Sequence, residues 1–92
     1  MHTLELMREK LALLQPESLE IIDESERHAG HAGAKSGGGH YRLNIVSPVF
    51  CGMGTLERHR HVYAALGELM RERIHALAIH AHCPSEISGR GI

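Results

Sequence analysis

Leu4, Met7, Leu11 and Leu14 recur at the i, i+3, i+7, i+10 spacing of one helical face. Thr3 is placed to cap that helix and Pro16 to stop it. Leu19 to Ser25, centred on Ile21 and Ile22, predicts a first strand. Residues 26–39 then read as a glycine-rich loop, longer than most hairpin connections. From His40 to Val46 the alternation is strict, with Tyr41, Leu43 and Ile45 against His40, Arg42 and Asn44, which predicts a strand with one buried face. Ser47-Pro48 and Gly52-Met53-Gly54 interrupt the pattern around an apolar plug, Phe50. Thr55 can cap a helix running from Leu56 to Arg71. On a wheel centred on His59, the residues Val62, Tyr63, Leu66 and Met70 fall within roughly 60°. His59 therefore reads as a structural, packed residue, with His61 opposite it and Arg58 and Arg60 on a solvated flank. Gly67 lies inside this helix at a cost of about 1 kcal/mol against alanine. Ile74 to Ala81 predicts the last strand, with His75, Leu77 and Ile79 on one face, Ile74, Ala76 and Ala78 on the other, and Pro84 as the stop.

The order αββαβ predicts two antiparallel strands, then a crossover that makes the third parallel to the second. The expected fold class is an α+β two-layer domain with a small three-stranded mixed sheet. One domain is expected over residues 1–92, with a core of about 4–86 and a frayed tail at 87–92. In this topology the end of strand one and the starts of strands two and three lie at one end of the sheet. His28, His31, His40 and His75 are thereby brought toward each other by connectivity. Cys51, His80, His82 and Cys83 belong to the opposite end, where His80, His82 and Cys83 form a second, weaker candidate metal set. Taken singly, His28 and His31 read as solvated loop residues, His40 as solvent-facing, and His75 as a strand histidine bonded to a carbonyl.

Composition narrows the choices. Net charge is −1, which disfavours a generic basic nucleic-acid binder. No apolar run approaches the ~18 residues of a membrane span, and the amino terminus lacks a secretory apolar region, so a cytoplasmic location is expected. The two cysteines have no Cys-x-x-Cys spacing and suggest no disulfide framework. Nine histidines in 92 residues is the unusual feature. Neutral imidazole suits zinc, iron or copper, but two imidazoles are half of a tetrahedral set. A second protein would have to supply the rest. No nucleophile–base pair or carboxylate dyad stands out, so no enzyme is read.

Five blocks occur in order: Asp23-Glu24-Ser25-x-x-His28, Gly39-His40-Tyr41, Val46-Ser47-x-x-Phe50-x-Gly52, Arg58-His59-Arg60-x-Val62-Tyr63 and Ile74-His75-Ala76-Leu77-Ala78-Ile79. Together they resemble the BolA family over roughly residues 4 to 86. The resemblance implies a fold similar to class II K-homology domains. It implies partnership with a monothiol (Cys-Gly-Phe-Ser) glutaredoxin and a [2Fe–2S] cluster shared with that glutaredoxin and glutathione, with no cofactor held tightly by the isolated chain. The fixed ligand maps to His75 and the loop ligand to His28. His31, three residues on, is an alternative, and the sequence resembles the histidine-loop rather than the cysteine-loop type. Alone, the protein is expected to be a monomer or weak homodimer.

Imidazole in place of thiolate makes a cluster less negative and raises its potential. It also competes with a proton near pH ~6.5, so the histidine side is the labile side, suited to storage, transfer or sensing. The family resemblance carries an alternative, a DNA-binding transcriptional regulator of stress response or cell morphology, with Arg58 and Arg60 as phosphate contacts. Against it, Gly52-Met53-Gly54 is not the Gly-x-x-Gly clamp of K-homology modules. A zinc- or copper-binding protein acting alone is the third reading.

Overall fold

The alternation from His40 to Val46 builds the middle strand of a three-stranded sheet. A computed structural model of the protein describes residues 2–25 and 39–88. In it α1 (Thr3–Leu11) is followed by β1 (Ser18–Asp23), β2 (Gly39–Val46), α2 (Thr55–Leu66), a short α3 (Leu69–Glu72), β3 (Ile74–His82) and a short α4 (Pro84–Ser88). The sheet order is β1-β2-β3. β1 pairs with β2 antiparallel, and β2 with β3 parallel. This is the expected mixed α+β architecture, with two short helices added.

One sheet face carries Ile21, Tyr41, Leu43 and Ile45, all buried. Met7 and Leu11 of α1 and Val62 and Leu66 of α2 close over that face, and Phe50 fills the gap beside them at 0% exposure. The Val46-Ser47-x-x-Phe50 block has a physical reason. Ser47, fully buried, donates its hydroxyl to the Leu14 carbonyl at 2.5 Å and accepts the Val49 N–H at 3.2 Å. It satisfies the carbonyl left at the end of the first helical stretch and starts the turn that inserts Phe50.

Several local expectations are corrected. The cap of α1 is His2, not Thr3: Leu4 N–H donates to His2 Nδ1 at 3.2 Å, and His2 N–H donates to the Glu5 carboxylate at 3.3 Å. Gly54 precedes α2 as its cap, so Thr55 is already helical. The helix expected to Arg71 ends at Leu66, because Gly67 takes φ 56°, a left-handed conformation that favours glycine. Tyr63 is 42% exposed, so the buried stripe of α2 is narrower than the wheel suggested. Pro84 does end the strand, but as the first residue of α4. Residues 87 and 88 belong to that helix rather than to a tail.

The cysteines are also corrected: Cys51 and Cys83 form a disulfide, with Cα atoms 4.8 Å apart. Cys51 follows the end of β2 and Cys83 the end of β3. The parallel pairing delivers both to one end of the sheet, although 32 positions separate them in sequence. Spacing along the chain carries no trace of this; topology does.

Arg58 ties the same two segments together. Its Nε donates to the Met53 carbonyl and its Nη1 to the Ala81 carbonyl, both at 2.9 Å. Its two Nη groups meet the Glu86 carboxylate at 2.9 and 2.6 Å, and Glu86 Oε1 accepts the Cys83 N–H at 3.0 Å. Arg58 is thus not a solvated flank residue; its side chain is 12% exposed. Its guanidinium first, then the Cys83 N–H, pulls the Glu86 carboxyl down from 4.5 to about 2. A depressed carboxyl stabilises the fold above its unfolded value and loses that contribution as pH falls through its folded value. The Glu86→Gln variant should therefore melt below the wild type at neutral pH. The gap should close between pH 4.5 and about 2, as thermal melts across that range would show; a gap independent of pH would contradict the clamp.

Candidate metal centre

β2 and β3 start together at the end of the sheet away from the disulfide. Gly39 is opposite Ile74, but His40 is opposite Ala76. One residue of β3 has no counterpart on β2, and that residue is His75. The extra residue resets the alternation. Ile74 is buried with the core, and Leu77 and Ile79 face the same layer, while His75 is exposed. The even alternation expected for this strand, with His75 on the Leu77 face, is replaced by a bulge. Bulges release a side chain from the ladder and re-aim it, and they concentrate beside functional sites.

His40 is the neighbour that the bulge creates. Its ring centroid lies 5.1 Å from that of His75, with the planes tilted by 46°. It is half-buried rather than fully solvent-facing. Connectivity alone brings His40 to this end, yet spacing marks it as solvent-facing rather than as a ligand candidate; its place at the first residue of the alternating strand, opposite the start of the strand that carries His75, is the feature that points to it.

The Asp23-Glu24-Ser25 block holds His40 in place. Ser25 Oγ accepts the His40 N–H at 3.1 Å, and Glu24 N–H donates to the His40 carbonyl at 2.7 Å. Asp23 Oδ1 accepts the Ser25 N–H at 2.9 Å, forming the local turn that presents the serine. The Ser25 hydroxyl is the main cause that lowers the Asp23 carboxyl, partly opposed by burial and aided by the Ser25 N–H. The Glu24 carboxylate meets Arg42 Nε at 3.0 Å, the next residue on the same face of β2 as His40. Gly39 N–H donates to the Arg73 carbonyl at 2.9 Å, locking the start of β2 to the start of β3. A Cβ at Gly39 would lie 2.6–2.7 Å from the Tyr41 ring, so glycine is required for that ring to pack across it. Burial raises the Tyr41 phenol, and the Asp23 charge adds to it. Thr3, Gly39, Tyr41, Glu72 and Arg73 line an open cleft of about 600 Å³ at the same end.

His28 and His31, the loop candidates, lie outside the described residues. The other candidates are placed as follows. His59 is half-buried and lines a groove of about 210 Å³ with Thr55, Arg58, Ile79, His80, Ala81 and His82. Arg60 and His61 are exposed. His80 and His82 share the sheet face of Asn44 and Val46, whereas Cys83 is buried and bonded to Cys51. The second candidate set is therefore corrected: bonded to Cys51, Cys83 offers no thiolate. Among the described residues no three His, Cys, Asp or Glu side chains form a group able to hold a metal. The His40–His75 pair supplies two imidazoles, a donor type that fits iron, zinc or copper completed by other ligands.

Comparison with known proteins agrees with this architecture. A family model described as BolA-like protein matches residues 11–86. The Escherichia coli protein named DNA-binding transcriptional regulator BolA is 42% identical over 92% of this chain and 79% of its own length. The mouse protein named BolA-like protein 1 is 45% identical over 79% of this chain, which spans about half (51%) of that relative. Among solved structures, Arabidopsis thaliana BolA1 superposes with a TM-score of 0.75 at 45% identity, covering 89% of this chain and 92% of that one. Mouse BolA1 in solution superposes at 0.79 with 40% identity, covering 100% and 73%. The fold is that of a small α+β domain shared with these proteins. The chain is a member of the BolA family.

The serine acceptor at His40 is open to a direct test. Ser25→Ala should release about 1 kcal/mol of local protection, or roughly fivefold faster exchange at the His40 amide, measured by hydrogen exchange in NMR; an unchanged rate would contradict the assignment.

Proposed function

We propose that this protein partners a monothiol (Cys-Gly-Phe-Ser) glutaredoxin and shares a [2Fe–2S] cluster with it and with glutathione, as a step in cluster delivery or regulation. The observation that carries this reading is the exposed His75 on its bulge, with the His40 ring 5.1 Å away. Two imidazoles presented together by a backbone-pinned strand pair fit one iron whose remaining ligands come from the cluster. His75 is the fixed donor. His40, His28 and His31 are the candidates for the second. The cluster is cargo in this reading, and its histidine side would be the labile one, because protonation of the imidazole, or its replacement at the iron by a client thiolate, would break the bond to this chain. What the chain contributes is orientation: the Asp23–Ser25 turn fixes His40, and the Gly39–Arg73 hydrogen bond fixes the strand start beside His75. No acid–base dyad is needed for such a role, and the relatives bear the names of a regulator and of BolA-like proteins rather than of enzymes.

Mixing the protein with a monothiol glutaredoxin, glutathione and reconstitution components should shift the visible circular dichroism of the cluster and yield a heterodimer by gel filtration. An unchanged spectrum without heterodimer would sink the proposal. His75→Ala should lose the shift. His40→Ala, His28→Ala and His31→Ala, compared side by side, identify the second donor as the variant with the larger loss. Negligible losses throughout would refute histidine ligation.

The name of the Escherichia coli relative favours a second reading, direct DNA regulation. Arg58 is committed to Glu86 and to two carbonyls, so Arg60, exposed, is the better phosphate contact. In this reading Arg60→Ala lowers the salt slope of duplex binding by about one; failure to retard any duplex at low salt removes it.

A further inference from the structure

The disulfide end of the sheet is cross-linked by hydrogen bonds as well as by sulfur. Arg58 joins the Met53 carbonyl on the Cys51 side to the Ala81 carbonyl and Glu86 on the Cys83 side. Ser47 N–H also donates to the His82 carbonyl at 3.0 Å, closing the ends of β2 and β3 together. None of these bonds involves a sulfur atom, so breaking the disulfide removes none of them.

The two cysteines differ in exposure. Cys51 is exposed, whereas Cys83 is 4% exposed. The Cys83 Sγ lies 3.2 Å from the Ser85 hydroxyl, which can donate to a thiolate there. A hydrogen bond to the departing thiolate makes Cys83 the better leaving sulfur, and exposure makes Cys51 the sulfur open to attack.

We propose that Cys51–Cys83 is a thiol–disulfide exchange site for a small-molecule thiol couple, with Cys51 as the exchanging sulfur and Cys83 as the resolving one. In the reducing direction an external thiolate attacks Cys51 Sγ. The intramolecular bond breaks, and its electron pair leaves on Cys83 Sγ. A second external thiolate then attacks the external sulfur of the mixed disulfide, releasing the external disulfide and the Cys51 thiolate. The two protein thiolates take up the two protons given up by the external thiols. The net change is one protein disulfide and two thiols converted into one protein dithiol and one external disulfide. In the oxidising direction the Cys51 thiolate attacks the external disulfide, and Cys83 then attacks Cys51 Sγ to expel the second external thiolate. The site lies at the opposite end of the sheet from His75 and is independent of any cluster.

The test uses the full chain with glutathione as probe, equilibrated in mixtures of its thiol and disulfide forms, then alkylated and weighed intact. The wild type should pass in one two-electron step between dithiol and intramolecular disulfide, with little mixed disulfide. Cys83→Ser should accumulate one glutathione on Cys51, and Cys51→Ser should react at Cys83 about tenfold more slowly. Partial alkylation of the reduced wild type, which needs no variant, should label Cys51 first. Circular dichroism of the reduced chain should remain that of a folded protein. Equal labelling of both thiols, accumulation of a doubly glutathionylated wild type, or unfolding on reduction would each overturn the proposal.

Discussion

The parallel pairing of β2 with β3, and its one-residue mismatch at His75, is the constraint on which the rest of the molecule depends. A parallel pair sends both strand starts to one end of the sheet and both strand ends to the other. The chemistry of the molecule is divided accordingly. At the starting end, the extra residue in β3 lifts His75 out of the ladder while Ile74 stays in the core. At the finishing end, Cys51 and Cys83 meet, and Arg58 spans the same junction. Without the mismatch, the strict alternation of β3 would put His75 on the layer that packs against the helices.

The packing explains why the short blocks in the sequence have the residues they have. Ser47 is buried because the Leu14 carbonyl ends there and Phe50 must turn inward. Asp23, Glu24 and Ser25 do not line a pocket of their own; they grip the backbone and flank of His40 from the adjacent strand. Arg58, on the helix that carries a prominent run of basic residues, faces inward to carbonyls and a carboxylate. Ser47, Ser25 and Arg58 each serve a part-buried backbone group, where an unmet partner costs about 1–3 kcal/mol.

Much of this was legible in the chain itself. The alternation around Leu43 gave the middle strand, the Leu4–Met7–Leu11 spacing gave the first helix, and the order of elements gave the sheet and the separation of His40 and His75 from the cysteines. Three things were not legible, each for a physical reason. A bulge leaves no mark in a strand whose neighbours are Ile74, Ala76 and Leu77, because apolar residues on both faces satisfy either phase. A disulfide between distant positions depends on sulfur-to-sulfur approach, which spacing does not encode. The inward turn of Arg58 depends on Glu86, a residue 28 positions away in sequence.

The proposal that most needs testing is that His75 and a second histidine of this chain donate to iron. Pulsed electron paramagnetic resonance on the reduced cluster of the glutaredoxin complex, with only this chain's histidines labelled with nitrogen-15, tests it most directly. The account predicts hyperfine coupling to two histidine nitrogens of this chain, one of which disappears with His75→Ala. Coupling absent from the labelled chain, or unchanged when His75 is removed, would contradict it.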